Sequence, residues 1–91
     1  MEFIHNNNDI SVYNENGETI AIVAFPQNED GSVTINRTFV GESLRGQGVA
    51  GKLMAELAKN LEKTNRKAVP TCSYAVTWFE KHPEHNDLLK K

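Results

Sequence analysis

Ser43-Leu44-Arg45-Gly46-Gln47-Gly48-Val49-Ala50-Gly51-Lys52 joins an alternating run that ends at Val40 to a run with helical spacing that continues to Lys63. A glycine-rich turn that opens a helix is a ready site for phosphate. The first N–H groups of a helix have no partner inside it, and the helix dipole favours negative charge at that end. Glycine lacks the side chain that would hold a pyrophosphate off the backbone. Arg45 and Lys52 add positive charge at the two edges of the turn. From these residues alone the stretch predicts a binder of a phosphorylated ligand, with pyrophosphate the best-fitting group.

Three motifs compete for this stretch. Gly46, Gly48 and Gly51 satisfy the dinucleotide pattern G-x-G-x-x-G, which also requires an acidic residue at the end of the next strand. The next strand candidate is Lys67–Thr71, and Cys72 follows it. Gly46-x-x-x-x-Gly51-Lys52 stops short of a P-loop, because Leu53 stands where Ser or Thr would hold magnesium. The third match is Arg45-x-x-Gly48-x-Ala50. It resembles the acyl-CoA pyrophosphate loop of the GNAT acetyltransferases, Gln/Arg-x-x-Gly-x-Gly/Ala. The order strand, turn, helix, strand, Cys, helix is similar to that superfamily over roughly 17–89. Thr38, Val40, Leu44-Arg45-Gly46, Val69-Pro70-Thr71-Cys72 and Phe79-x-x-His82-Pro83-Glu84 resemble its small single-domain YjdJ-type subfamily, with Arg37 in place of an expected His.

Working outward, Val49, Ala50, Leu53, Met54, Leu57, Ala58 and Leu61 repeat at helical spacing and predict a helix over Val49–Lys63. Lys52, Glu56, Lys59, Glu62 and Lys63 cover its other side. Before the turn, Ser32–Val40 alternates, with Val33, Ile35 and Phe39 expected on one face and Thr34, Asn36 and Thr38 on the other. Thr19–Phe25 is apolar at alternate and intervening positions, which predicts a central strand covered on both sides. Asn16-Gly17 predicts a two-residue hairpin turn to an extended piece over Ile10–Tyr13, and Phe3-Ile4-His5 a short first strand. After the helix, Lys67–Thr71 reads as a strand parallel to Ser32–Val40, with pairing cut short at Pro70. Ser73–Lys81 reads as a second helix with Ala75, Val76 and Phe79 inward, stopped by His82-Pro83. Tyr74 and Trp78 share one of its faces. Leu88 and Leu89 are expected to dock the tail, leaving Lys90-Lys91 frayed.

The chain has 91 residues, 38% hydrophobic and 24% charged, which predicts one domain over 1–91 with a modest core. A net charge of −2 gives no general attraction to nucleic acid or to an anionic membrane. No apolar run approaches a membrane span, and no signal-peptide core is present, so the default expectation is cytoplasmic. One cysteine excludes an internal disulfide and a cysteine-based zinc site, and no metal site is expected. His5, His82 and His85 read as solvated surface residues.

The resemblance implies an α/β (α+β) fold: a mixed, mostly antiparallel sheet with splayed parallel strands and two main helices. It places the splay between Thr38–Val40 and Val69–Cys72. It implies acetyl-CoA as cofactor, with pantetheine along Thr38, Phe39 and Val40, Phe39 and Val40 nearest. The pyrophosphate would rest on Arg45, Gly46, Gln47, Gly48, Val49 and Ala50. The acetyl thioester would arrive near Thr38 and Cys72, and an amine of a small molecule or a protein lysine would accept the acetyl group. Cys72 and Tyr74 are the candidate catalytic residues. Cys72 follows a strand and precedes a helix, where the positive helix end promotes thiolate character. A nucleophilic role there would route the acetyl group through an acetyl-cysteine; a small, inert core cysteine is the other reading. Glu42 and His5 are the only base candidates, and surface roles suit both better. The functional alternatives are an acyltransferase and a module that holds acetyl-CoA without turnover.

Overall fold

The computed structural model describes residues 1–91. Ile4–His5 (β1), Asp9–Tyr13 (β2), Thr19–Ala24 (β3) and Arg37–Val40 (β5) form an antiparallel sheet in the order β1-β2-β3-β5. Val33–Ile35 (β4) pairs in parallel with Ala68–Pro70 (β6). Val49–Thr64 (α1) and Ser73–Lys81 (α2) are the two helices, at the expected positions. This is the mixed, mostly antiparallel α+β architecture that the sequence implies.

The core is one cluster. Ile10 and Val12 of β2, and Ala21 and Val23 of β3, meet Leu53, Met54, Leu57, Ala58 and Leu61 of α1. Their apolar periods, two in the strands and near 3.6 in the helix, turn one face of each element inward. The expectation that β3 is covered on both sides is corrected. Ala21, Val23 and Phe25 are buried, whereas Ile20, Ile22 and Ala24 on the opposite face are only half-buried. The turn at Asn16-Gly17 is also longer than predicted. The Asn14 N–H donates to the Glu18 carbonyl, closing a loop of Glu15, Asn16 and Gly17, and Asn14 Oδ1 accepts the amides of Asn16 and Glu18. Gly17, at φ 81°, supplies the left-handed residue that this three-residue loop requires.

The strand predicted over Ser32–Val40 is bent in the middle. Val33 bridges to Gln27, while Arg37 pairs with Ala24. Four steps along one chain therefore oppose three along the other: a β-bulge, with the Asn36 N–H donating to the Ala24 carbonyl at 3.2 Å. One extra residue inverts the alternation beyond it. Val33 and Ile35 point into the core as expected, but past the bulge Thr38 and Val40 turn inward. Phe39 turns outward and is 38% exposed, which corrects its predicted face. Gly41 then ties the end of β5 to β3: its N–H donates to Ile20 O at 2.7 Å, and a Cβ there would meet the same oxygen at 2.8 Å.

Three further expectations change near the C-terminus. Trp78, not Val76, joins Ala75 and Phe79 in the core. His82 and His85 stack on the Trp78 indole, with centroids at 4.1 and 5.3 Å, rather than standing as solvated residues. Leu88 is buried as predicted, but the chain beyond it is held. Leu89 bridges to Ala68, the Lys90 N–H donates to Ala68 O, and Lys90 Nζ lies 2.5 Å from Asp30. No helix is long and apolar enough to cross a membrane.

Candidate functional site

The glycine turn has the backbone that the sequence asks for. Glu42–Leu44 forms one 3-10 turn, and Gly46 and Gly48 then take φ of 82° and 71°, a region closed to most side chains. Gly48 is the N-cap of α1. The Arg45 N–H donates to Glu42 O, and the first amide bonded within α1 is that of Lys52, to Gly48 O. Between them the N–H groups of Gly46, Gln47, Gly48, Val49, Ala50 and Gly51 have no protein acceptor. A Cβ at Gly46 or Gly48 would meet nothing within 4 Å. The cradle is therefore open toward solvent, with consecutive donors and the positive end of a 16-residue helix behind them.

Two grooves meet at this turn. One, of about 250 Å³, runs back along Val40, Leu44, Arg45, Val49 and Tyr74. The other, of about 550 Å³, continues between the helices past Lys52, Tyr74, Trp78, Lys81 and His82. They share Gly48, Gly51 and Tyr74. The Tyr74 hydroxyl stands beside Gly51, where a Cβ would make an ordinary contact with it at 3.6 Å. Burial raises the Tyr74 pKa, which keeps the phenol neutral and able to donate. Arg45 Nε donates to Val40 O at 3.3 Å, tying the turn to the strand.

The second half of the site is a gap in the sheet. β4 and β6 pair as far as Ile35 and Pro70; Pro70 has the parity of Ala68, whose carbonyl faces the C-terminal tail rather than β4, so its missing N–H costs this ladder nothing. The amides of Thr71 and Cys72 both turn to Ile35 O, at 3.0 and 3.2 Å. Past the bulge the path splits: β5 follows β3, while the chain after β6 enters α2. Val40 and Thr71 thus lie on branches that part from one paired stem. Along β5, alternate residues direct their amide groups to alternate sides. Gly41 faces β3, so Phe39 and Arg37 do too, and Thr38 and Val40 direct theirs into the gap. Phe39, expected with Val40 nearest the pantetheine, thus directs its amide group to β3 and its side chain outward. Across the gap Thr38 Oγ1 lies 3.5 Å from Cys72 Sγ. Cys72 is half-buried and is the N-cap residue of α2, though its side chain makes no capping bond.

The structure thus brings together Thr38, Val40, Cys72, Tyr74 and the turn from Arg45 to Ala50. It does not bring in His5, which stands on the far edge strand against Glu56 of α1 at 3.5 Å. Glu42 is exposed in the 3-10 turn. Sequence reasoning missed the Trp78–His82–His85 stack on the wall of the larger groove. Its signal was the spacing of four and then three residues, which puts aromatic rings on one helical side.

The paired stem, the gap and the phosphate-type turn at its mouth form one unit. Residues 9–88 match the model of the family described as GCN5-related N-acetyl-transferase. The chain belongs to that family. The match is to the family as a whole and does not resolve the YjdJ-type subfamily. A GCN5-like N-acetyltransferase of Staphylococcus aureus, solved by NMR, is 24% identical with a TM-score of 0.79, covering 98% of this chain and 87% of its own. A Pyrococcus furiosus acetyl transferase is 19% identical with a TM-score of 0.56, covering 81% and 56%. A Bacillus anthracis protein described as a streptothricin acetyltransferase, solved with acetyl coenzyme A, is 17% identical with a TM-score of 0.55, covering 92% and 49%. At these identities the likeness is one of fold. This chain spans about half the length of the larger relatives. No curated protein matches it significantly.

Proposed function

We propose that the protein binds acetyl-CoA at the Gly46–Gly51 turn and transfers the acetyl group to an amine through Cys72. The observation that carries the reading is the unbroken run of unpartnered amides at the mouth of the gap lined by Thr38 and Cys72. A pyrophosphate satisfies those donors, and Lys52 adds charge beside them. An extended pantetheine arm would lie in the gap, where the free edge of β5 offers the N–H and carbonyl of Thr38 and the N–H of Val40, whose carbonyl is held by Arg45. The thioester then meets Cys72 Sγ. The new S–C bond forms as the bond from the acetyl carbon to the CoA sulfur breaks, and the thiol proton passes to the departing CoA sulfur. The amine attacks the acetyl-cysteine in turn, and its proton restores the cysteine thiol. The neutral Tyr74 hydroxyl, in the groove wall beside Gly51, keeps its proton and donates a hydrogen bond to the departing CoA sulfur as charge develops there. One domain serves the whole reaction.

The second reading is a module that holds acetyl-CoA without turnover. It is favoured by the open face of the sheet, where β3 and β5 expose half-buried side chains that no further element covers. Release of free CoA thiol in the presence of an amine separates the two.

The binding step is tested by calorimetry with CoA. Gly48→Glu places a carboxylate in the cradle and is expected to weaken binding by at least about a hundredfold, from lost charge-assisted bonds and repulsion. Gly17→Glu is the control, with similar positive φ and open space but on the distant β2–β3 hairpin. It should bear the same backbone strain and leave CoA affinity intact. Equal affinity of wild type and the Gly48 variant would place the ligand elsewhere.

A further inference from the structure

Beyond the bulge at Asn36, β5 has two faces of different chemistry. On the inner side lie the turn and grooves described above. On the outer side β5 presents Arg37 and Phe39, the two residues whose side chains the bulge turns away from the core. Both flank Thr38, whose hydroxyl reaches Cys72 through the gap. The Arg37 guanidinium stands 5.6 Å from the Phe39 ring centroid, a geometry that holds its fork over an exposed aromatic plate. Arg37 makes none of the protein's salt bridges: those join His5 and Lys59 to Glu56, His85 to Glu62, and Lys90 to Asp30. The nearest carboxylate in register, Asp9, lies two strands away across Ala24 and is occupied by Asn6 and Ser11. In a chain of net charge −2, a cation left without a carboxylate partner and braced on an aromatic ring, one residue along the strand from Thr38, is available for an anion from outside.

We propose that Arg37 selects the acceptor, and that the acceptor is an amine carrying a carboxylate close to the nitrogen. The inference rests on the acetyl-transfer reading above. With CoA filling the inner side, the acceptor enters from the outer face. A carboxylate there pairs with the guanidinium fork while the adjoining carbon chain lies on Phe39. That holds the amine at the Thr38–Cys72 opening. Polyamines meet a like charge at the same place. The shared chemistry is an amine beside a carboxylate, whether in a free acidic amino acid or at the N-terminus of an acidic peptide.

The test compares free glutamate, the tripeptide Glu-Glu-Ala and spermidine as acceptors, with release of CoA thiol as the rate readout. Binding of each to the CoA-loaded protein is followed in parallel by NMR shifts of the Arg37 and Phe39 amides. Wild type is expected to favour the acidic amines over spermidine by at least about tenfold. The better of the two acidic probes identifies the source. Arg37→Ala should raise KM for the acidic acceptor about tenfold while kcat and the CoA affinity stay level; Arg37→Glu should move the preference to spermidine. Preference for spermidine in wild type, or a ranking unchanged in Arg37→Ala, overturns the inference. So does the absence of Arg37-dependent binding of either acidic probe to the CoA-loaded protein. Loss of CoA binding itself in wild type would instead overturn the acetyl-CoA reading, and the two failures are distinct.

Discussion

β4 and β5 are two halves of one strand path, yet they are held in different ways. β4, in which Val33 and Ile35 are fully buried, is bonded on both sides: the Val33 N–H donates to Lys67 O beside β6, and the Thr34 N–H to Pro26 O in the chain before β4. β5, with Thr38 and Val40 half-buried, is bonded along one edge only, where Arg37 and Phe39 face β3. Burial and pairing concentrate cohesion in the first half. The second half keeps unpaired amide groups because the first half fixes where they stand. A gap between strands is useful only when the stem from which the strands part does not yield.

Ile35→Ala breaks the stem and has the largest expected effect. The removed side chain leaves a cavity in a site with no exposure, which costs about 2–5 kcal/mol in denaturant unfolding. The amides of Thr71 and Cys72 also hang on the Ile35 carbonyl, so CoA affinity should fall with stability. Cys72→Ala acts on the open half alone. It should remove acetyl transfer to the protein, seen as loss of a one-acetyl mass gain after incubation with acetyl-CoA. Turnover should drop about a hundredfold, near 2.7 kcal/mol of barrier, while the unfolding midpoint and CoA binding stay close to wild type. Turnover at the wild-type rate would make Cys72 structural and leave direct attack by the amine as the route.

The smallest effect sharpens the contrast from the closed side. Lys90 and Ser32 donate to the Asp30 carboxylate and hold its pKa well below the usual carboxylate range. The folded pKa is depressed, so the associated stability is present above the unfolded value of about 3.8 and is lost as pH falls through the folded one. An NMR titration should find Asp30 ionised well below pH 3.8 in wild type. In Lys90→Ala its midpoint should move up, with no change in CoA binding.

How much of this was legible in the sequence follows from the range of the forces involved. Both helices and the turn were readable because their signals are local: periodic apolar residues in α1, glycines at the positions that take positive φ, and proline after α2. The bulge was not. Perfect alternation across Ser32–Val40 reads as one straight strand, and only pairing with β3 and β6 shows that Asn36 is the extra residue. The same blindness put Phe39 on the wrong face and so hid the outward pair of Arg37 and Phe39. Lys90 escaped for a related reason, since its partners Asp30 and Ala68 are distant in the chain. The cysteine and the turn stood out as candidates because each sits at a junction of elements, where sequence changes its period.

The stack on α2 has an optical consequence. Trp78 is the chain's single tryptophan, and it stands in the wall of the larger groove with the His82 imidazole 4.1 Å from it. All of the protein's tryptophan fluorescence therefore originates at that wall. The emitting ring has the His82 and His85 imidazoles stacked on it and a groove alongside that opens onto the glycine turn. The molecule carries its own spectroscopic label, built in beside the space it offers to a ligand.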